Sequence, residues 1–420
     1  MLSKLGDMAD DMLNNRMLAF DIGTEKVRAW ERKKGLIVFS PEGETDEERY
    51  TTANATARGV ADGRDLLAVG DDALKLQGRS LKTRVQVRQP YNDGAIRVTD
   101  EDHEAVRDML EYGLEVVYGK FGSWRRTSSI GPSFPTTILT AITHCSTTDE
   151  QKSLENTIRE LNCLPRIVGQ PVATAIGAGI PVHEIPASFL VDIGGGTTGV
   201  AVISMYNIAA EPVDYKIGSR KISWAIIDGI RDDLGMLVGP PTAEFLKRNL
   251  LTLGKISYDE SRVVRGKPIQ GGKAEPIKIS QRQLQKWVRP LLMKELVEPL
   301  RIYLEDLTPE LHADIQERHI QLAGGGSLVK EFDEFLTEEV GIKVEWVENP
   351  MFSLIIGLGK MLNDPKLLKL AEQSLLSENE KRMLKACNRA EEPDSSAQLV
   401  VRAPQKLDTT IPGIPEVNHA

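Results

Sequence analysis

The pattern that most constrains this chain occurs twice: an apolar strand that ends in Asp, turns on Gly and goes on through Thr. The first copy is Met17-Leu18-Ala19-Phe20 followed by Asp21-Ile22-Gly23-Thr24. The second is Ser188-Phe189-Leu190-Val191 followed by Asp192-Ile193-Gly194-Gly195-Gly196-Thr197-Thr198, with Gly199 to Ser204 as the returning strand. The two aspartates stand 171 residues apart, so the repeat predicts two related α/β domains facing each other. A third glycine turn, Gly324-Gly325-Gly326-Ser327, follows the apolar Ile320-Gln321-Leu322-Ala323 and leads into a helix through Val329, Phe332 and Phe335.

Glycine lets a backbone turn sharply and bring its N–H groups close to a phosphate. The hydroxyls of Thr24, Thr197 and Thr198 can add donors. Asp21 and Asp192, at matching strand ends, can together hold a hydrated magnesium ion, which keeps several waters beside a few carboxylates. The net charge of −9 argues against nucleic acid as the main partner, because neutralising phosphates needs a basic face. Three widely spaced cysteines, Cys145, Cys163 and Cys387, give neither a disulfide framework nor a zinc spacing and suit a reducing cytoplasm. No apolar run reaches the ~18 residues of a membrane span, and Met1 to Asn15 lacks the basic start and apolar core of a secretory signal.

Residues 1–16 are expected as an amphipathic segment, with Met1, Leu2, Leu5, Met8, Met12 and Leu13 near one helical face. Pro41 to Asp65 reads as a loop or irregular hairpin, and Asp100 to Tyr118 as a helix. Thr147-Thr148-Asp149-Glu150 looks like a helix N-terminus, with hydroxyl caps and early acids. Gln283 to Asp306 is helical, with Pro290 and Pro299 expected to kink or divide it. The expected units are domain I over 17–165 with a smaller subdomain over 31–82, and domain II over 166–362 with a smaller one over 241–288. A C-terminal helix over 363–389 and a disordered tail over 390–420 follow.

These motifs resemble the actin, Hsp70 and sugar-kinase superfamily, and within it the bacterial actins of the MreB type. The two Asp-Gly-Thr turns match the phosphate loops, and Leu322-Ala323-Gly324-Gly325-Gly326-Ser327-Leu328 matches the adenosine loop. Ala68-Val69-Gly70, Arg88-Gln89-Pro90, the run Pro171 to Gly179, Thr308-Pro309-Glu310-Leu311 and Gly357-Leu358-Gly359 fit as well, so the likeness runs from about 17 to about 362. The resemblance implies an actin-like ATPase fold: two RNase H-like domains around a nucleotide cleft, each with an inserted subdomain. It implies ATP and Mg2+ as ligands. Asp21, Gly23 and Thr24 would meet phosphate and metal, with Lys26 able to reach a phosphate. Asp192, Gly194, Gly195, Gly196, Thr197 and Thr198 would face the other phosphates. Gly324, Gly325, Gly326 and Ser327 would touch adenosine, and Glu244 and Lys247 the ribose and adenine side.

The sequence departs from the MreB pattern in three places. Gln170, in Val168-Gly169-Gln170-Pro171, stands where MreB-type proteins carry a Glu thought to position the attacking water with the residue matching Thr197. Glutamine orients water but accepts no proton, and phosphoryl transfer depends mostly on positioning and electrostatics. Slow hydrolysis coupled to assembly is therefore expected, with Gln170 and Thr197 as its catalytic pair. Glu25-Lys26 replaces the usual Ala-Asn, and Ile142-Thr143-His144-Cys145-Ser146 replaces a Val-Pro turn.

The loop Gly119 to Arg126 matches the one that enters the membrane in MreB relatives. Phe121, Trp124, Arg125 and Arg126 suit a bilayer interface with anionic headgroups. The resemblance thus implies a membrane-associated cytoplasmic filament that organises cell shape or cell-wall synthesis, with itself, the membrane surface and membrane morphogenesis proteins as partners. Alternatives are a specialised filament for organelle positioning or plasmid segregation, or a non-polymerising ATP-binding protein with weak hydrolysis. A sugar or acetate kinase would carry a substrate-binding Asp and insertions not found here. An Hsp70 would need a β-rich domain after Asn363, where the chain is too short and polar.

Overall fold

The computed structural model describes residues 16–59, 66–77, 85–92, 95–96, 99–119, 136–144 and 146–375. The proposed N-terminal segment, the loop carrying Phe121, Trp124, Arg125 and Arg126, and the chain beyond 375 lie outside these described residues.

Each Asp-Gly-Thr hairpin founds a six-stranded sheet, and the two sheets share one order. In the first, Met17–Ile22 pairs antiparallel with Lys26–Glu31, which continues to Gly35–Leu36. On its other side Met17–Ile22 runs parallel to Thr136–Ile142, which runs parallel to Cys163–Gly169. In the second, Ser188–Ile193 pairs antiparallel with Thr198–Ser204, which continues to Asn207–Ile208. Ser188–Ile193 also runs parallel to Ile320–Ala323, and that strand to Val344–Trp346. The founding strands are buried along their whole length, which explains their uninterrupted apolar runs.

Between the sheets lie two helices, Gln170–Gly177 and Ser353–Asn363, with apolar side chains from both domains around them. They cross at glycine. A Cβ on Gly177 would lie 1.6 Å from the Ser353 carbonyl oxygen, and one on Gly357 would lie 1.9 Å from that of Ala173. This backbone-to-backbone crossing holds the domains together at the floor of the cleft.

Small three-stranded sheets accompany each domain. One takes Thr56–Gly59, Leu66–Val69 and Val85–Arg88, and so runs past the boundary expected at 82. Its core is mostly alanine: Ala53, Ala55, Ala57 and Ala73. The other takes Met236–Leu237, Ser261–Pro268 and Glu275–Ser280, starting ahead of the expected 241.

Several local expectations meet the structure directly. A helix spans Asp100–Tyr118, and Thr147 with Glu150 closes a capping box before Thr148–Glu160. One reading needs correction. The Pro41 to Asp65 stretch contains a short helix, Asp46–Tyr50, started by a Thr45–Glu48 capping box. The Thr-x-x-Glu signature was present in the sequence and outweighs the polar composition. The segment with Pro290 and Pro299 is divided, as expected, by a π-helical turn between its two prolines. Gln281–Leu292 runs through Pro290 into a π-helical turn, Met293–Val297, and on into Glu298–Glu305. A proline has no N–H to give, and the Glu298 N–H reaches back to the Met293 carbonyl, so one widened turn absorbs the register change.

Candidate nucleotide-binding site

The three glycine turns meet in one cavity of about 210 Å³ between the domains. The first turn closes with the Gly23 N–H on the Lys26 carbonyl, 3.0 Å, and the second with the Gly194 N–H on the Thr197 carbonyl, 2.8 Å. They touch across the cleft: a Cβ on Gly196 would lie 2.7 Å from Thr24 Oγ1, and one on Gly195 would lie 2.8 Å from Glu25 Cγ. The third turn presses on the second. Gly324 has a φ of +84°, and a Cβ there would lie 2.3 Å from the Ile193 carbonyl oxygen and 2.4 Å from Asp192 Oδ1. Only glycine allows both that conformation and that approach.

Asp21 and Asp192 line this cavity together. Burial pushes the Asp21 carboxyl above the ordinary aspartate range, and Arg28, with Nη1 2.7 Å from Oδ2, pulls against it. Burial also raises Asp192. Gln170 Nε2 at 3.1 Å and Thr174 Oγ1 at 3.0 Å both donate to its Oδ2 and oppose the rise, while the charges of Asp21 and Asp214 add to it. With Nε2 held on Asp192, Gln170 keeps Oε1 as the atom that can accept from a water. Thr197 also lines the cavity.

Among the described residues no cluster of three or more His, Cys, Asp or Glu gathers as a metal cage. A divalent ion would fit beside the two aspartates only with water and phosphate oxygens as most of its ligands, which is how magnesium is commonly held.

The other expected residues divide. Gly23, Thr24, Lys26, Gly194, Gly195, Glu244, Lys247, Gly324, Gly325 and Gly326 line the cavity. Gly196, Thr198 and Ser327 do not: Gly196 is pressed against Thr24. Thr198 is fully buried, with its hydroxyl on the Ile217 carbonyl at 2.7 Å, and the Ser327 hydroxyl bonds the Gly324 carbonyl at 2.7 Å. Thr198 thereby ties its turn to the segment at Ile217, and Ser327 closes its own turn, so the donor role expected of Thr198 is corrected to a supporting one. Lys26 lies 3.6 Å from Asp71. Buried Lys247 places its ammonium on Glu244 at 2.6 Å, on Ser219 and on Ser223, so it orients Glu244. Glu25, which would repel a phosphate if turned inward, lies 3.5 Å from Arg220 of the other domain.

Three features of the site were not read from the sequence. Arg28 lies opposite Asp21 in the hairpin register, which the tight Gly23 turn could have revealed. Tyr91 lines the cavity, and burial together with the Asp21 and Glu150 charges raises its phenol. Glu47 and Arg248 form a two-point bridge across the cleft mouth, with Arg248 Nη2 2.8 Å from Glu47 Oε1. Burial pushes Glu47 up, but the bonds and charge of Arg248, aided by Lys26 and Arg28, hold it below the usual glutamate range. Arg248 also reaches Glu244 Oε1 at 2.6 Å, tying the bridge to the cavity wall.

Two sheets of one order, each founded on an Asp-Gly-Thr hairpin and hinged on crossed helices beneath a shared cleft, define an actin-like fold. Solved structures agree: MreB5 of Spiroplasma citri bound to AMPPNP superposes with a TM-score of 0.72 at 24% identity, covering 83% of this chain and 96% of that one. The MamK double helical filament gives a TM-score of 0.64 at 17% identity over 83% of this chain and 98% of that one. The chain belongs to the MreB/Mbl protein family, whose sequence profile matches residues 15–370. It is 28% identical to the cell shape-determining protein Mbl of Bacillus subtilis (strain 168) over 351 residues, 83% of this chain and 96% of that protein. It is 29% identical to the cell shape-determining protein MreB of Escherichia coli (strain K12) over 346 residues, 82% and 92% of the two chains.

Proposed function

We propose that this protein is an ATP-dependent, filament-forming actin homologue acting in cell shape. The observation that carries the reading is the meeting of all three glycine turns and both aspartates in one inter-domain cavity. Family membership and relatives named as cell shape-determining proteins support it. Neighbours of the same fold were solved with AMPPNP or ADP, and one as a double helical filament.

In this reading the backbone N–H groups of the first two turns face the phosphates, and the third turn with Glu244 frames the nucleoside. Magnesium, when bound, neutralises phosphate charge beside Asp21 and Asp192. Gln170, steadied on Asp192, orients a water with Thr197, and without a carboxylate to take the proton the turnover is slow. Filaments grow through head-to-tail contacts that do not close on themselves.

The membrane partner is a further part of the proposal, resting on Phe121, Trp124, Arg125 and Arg126 in the sequence. No helix among the described residues is long and apolar enough to cross a membrane.

Electron microscopy and sedimentation of the purified chain with ATP and magnesium, with and without anionic liposomes, test these steps. Nucleotide-dependent filaments are expected. A protein that stays monomeric at high concentration ends the filament reading. Unchanged liposome binding in a Phe121→Ala, Trp124→Ala variant removes the loop from it.

A further inference from the structure

One residue, Arg220, fastens both phosphate turns. It lies in the first turn of the helix Ser219–Leu234, in the second domain. Its backbone N–H donates to the Gly195 carbonyl at 2.9 Å and so holds the second turn. Its Nη2 crosses the cleft and donates to the Thr24 carbonyl of the first turn, also at 2.9 Å. Its Nε lies 3.5 Å from Glu25 Oε1.

The backbone at Glu25 is pinned. The Asn54 N–H donates to the Glu25 carbonyl at 2.9 Å, and Asn54 Nδ2 donates to the Gly23 carbonyl at 2.8 Å. The Glu25 stem lies against Gly195 of the opposite turn, and the residue lines the nucleotide cavity. A carboxylate therefore stands where the two turns converge, in a cavity read as holding phosphates.

The order of the turns indicates which phosphate it meets. The third turn, which frames the nucleoside in that reading, presses on Asp192, Ile193 and Gly194, at the start of the second turn. Glu25 and Thr24 press on Gly195 and Gly196, farther along it. A nucleotide laid along the second turn from the nucleoside end brings its terminal phosphate nearest to Glu25. Like charges repel, and the repulsion falls with distance, so a third phosphate feels this carboxylate more than a second one does. Arg220 offsets the repulsion only in part. Its guanidinium is shared between Glu25 and the Thr24 carbonyl, and it makes no two-point bridge of the kind that joins Glu47 to Arg248.

Resting on the nucleotide-site reading, we propose that Glu25 is a specificity-determining residue that disfavours the nucleoside triphosphate relative to the diphosphate, with Arg220 setting how strongly. The pair spans the cleft, so the choice of nucleotide and the contact between the two turns are governed by the same two charges.

The test is calorimetric binding of ATP and of ADP to the full chain in magnesium, for wild type, Glu25→Gln, Arg220→Gln and the double variant. Glutamine keeps the size and hydrogen-bonding reach of Glu25 and removes its charge. Glu25→Gln is expected to tighten ATP by about 5–20-fold and ADP by less than about twofold. The gain should shrink at high salt, because the pair is partly exposed and open to screening. Arg220→Gln leaves the carboxylate uncompensated and should weaken ATP by about tenfold, with a smaller loss for ADP. Adding Glu25→Gln to it should bring ATP back to near the wild-type affinity.

A residue that merely ties the turns together would, when changed, weaken both nucleotides alike. The proposal is therefore overturned if the ratio of ATP to ADP affinity in Glu25→Gln equals that of wild type, or if ATP binds more weakly than in wild type. If Arg220→Gln proves unfolded by circular dichroism, the two nucleotide affinities of Glu25→Gln decide alone. A wild type that binds neither nucleotide overturns the nucleotide reading itself. Tight binding of both with an unchanged ratio in Glu25→Gln leaves that reading standing and removes only the role of Glu25.

Discussion

The two founding hairpins share sheet order, turn closure and aspartate position, yet they treat the aspartate differently. In the first, Asp21 is met by the full charge of Arg28. In the second, Asp192 is met by the amide of Gln170 and the hydroxyl of Thr174, and Gly199 occupies the place that corresponds to Arg28. One backbone plan thus supports a site half of which is pre-neutralised and half of which stays anionic. The lesson is that a duplicated fold fixes where a group stands, while the side chain across the strand decides what it is paired with.

The largest effect should come from removing the charge at Asp21. Asp21→Asn leaves a buried guanidinium without its counter-ion and should cost about 3–5 kcal/mol in denaturant unfolding. A loss close to zero would mean that the pair is solvated and that the contrast between hairpins is false. Next is the contact that keeps the hairpins together. Gly196→Ala brings a methyl to within 2.7 Å of Thr24 Oγ1 and should cost about 1–3 kcal/mol and weaken nucleotide binding. Wild-type stability and affinity in that variant would show that the turns are not pressed together.

Asp192→Asn should change stability by only about 1 kcal/mol, because its partners are neutral donors. Its pH dependence carries the sharper signal. Burial raises the folded pKa of Asp192 above its ordinary value, so between those two values the folded state holds more protons than the unfolded state. Stability then falls as pH rises through that window. Wild type should gain on Asp192→Asn as pH is lowered from neutrality, levelling off at the ordinary aspartate pKa. A constant difference across the range would remove the claim that Asp192 lacks cationic compensation.

The smallest effect belongs to the Glu47–Arg248 bridge, whose arginine is half exposed. A double-mutant cycle of Glu47→Ala and Arg248→Ala should give a coupling below about 1 kcal/mol. It should grow when nucleotide is bound, because Arg248 also holds Glu244 on the cavity wall. Coupling that does not respond to nucleotide would detach the bridge from the site.

Much of this molecule was legible from its residues because the signals are local. Strand, Asp, Gly and Thr in succession specify a tight hairpin, and a Thr with Glu three residues on marks a helix start, as at Thr147. Three signals of this local kind went unread: the capping boxes at Thr45 and Ser280 and the register that sets Arg28 opposite Asp21. Thr198 was read as a ligand donor because a turn motif shows the hydroxyl and hides the backbone carbonyl that takes it.

The sequence by itself determined the two hairpins, the third glycine turn and the capped helices, because turns, caps and strand alternation depend on neighbours a few residues apart. Only the tertiary structure decided that Gln170 rests on Asp192, that Glu25 meets Arg220 and that Glu47 meets Arg248. Those pairings join residues from separate elements, two of them across the cleft. They exist only because the crossing of Gly177 and Gly357 against opposing backbone brings the two sheets to one fixed distance.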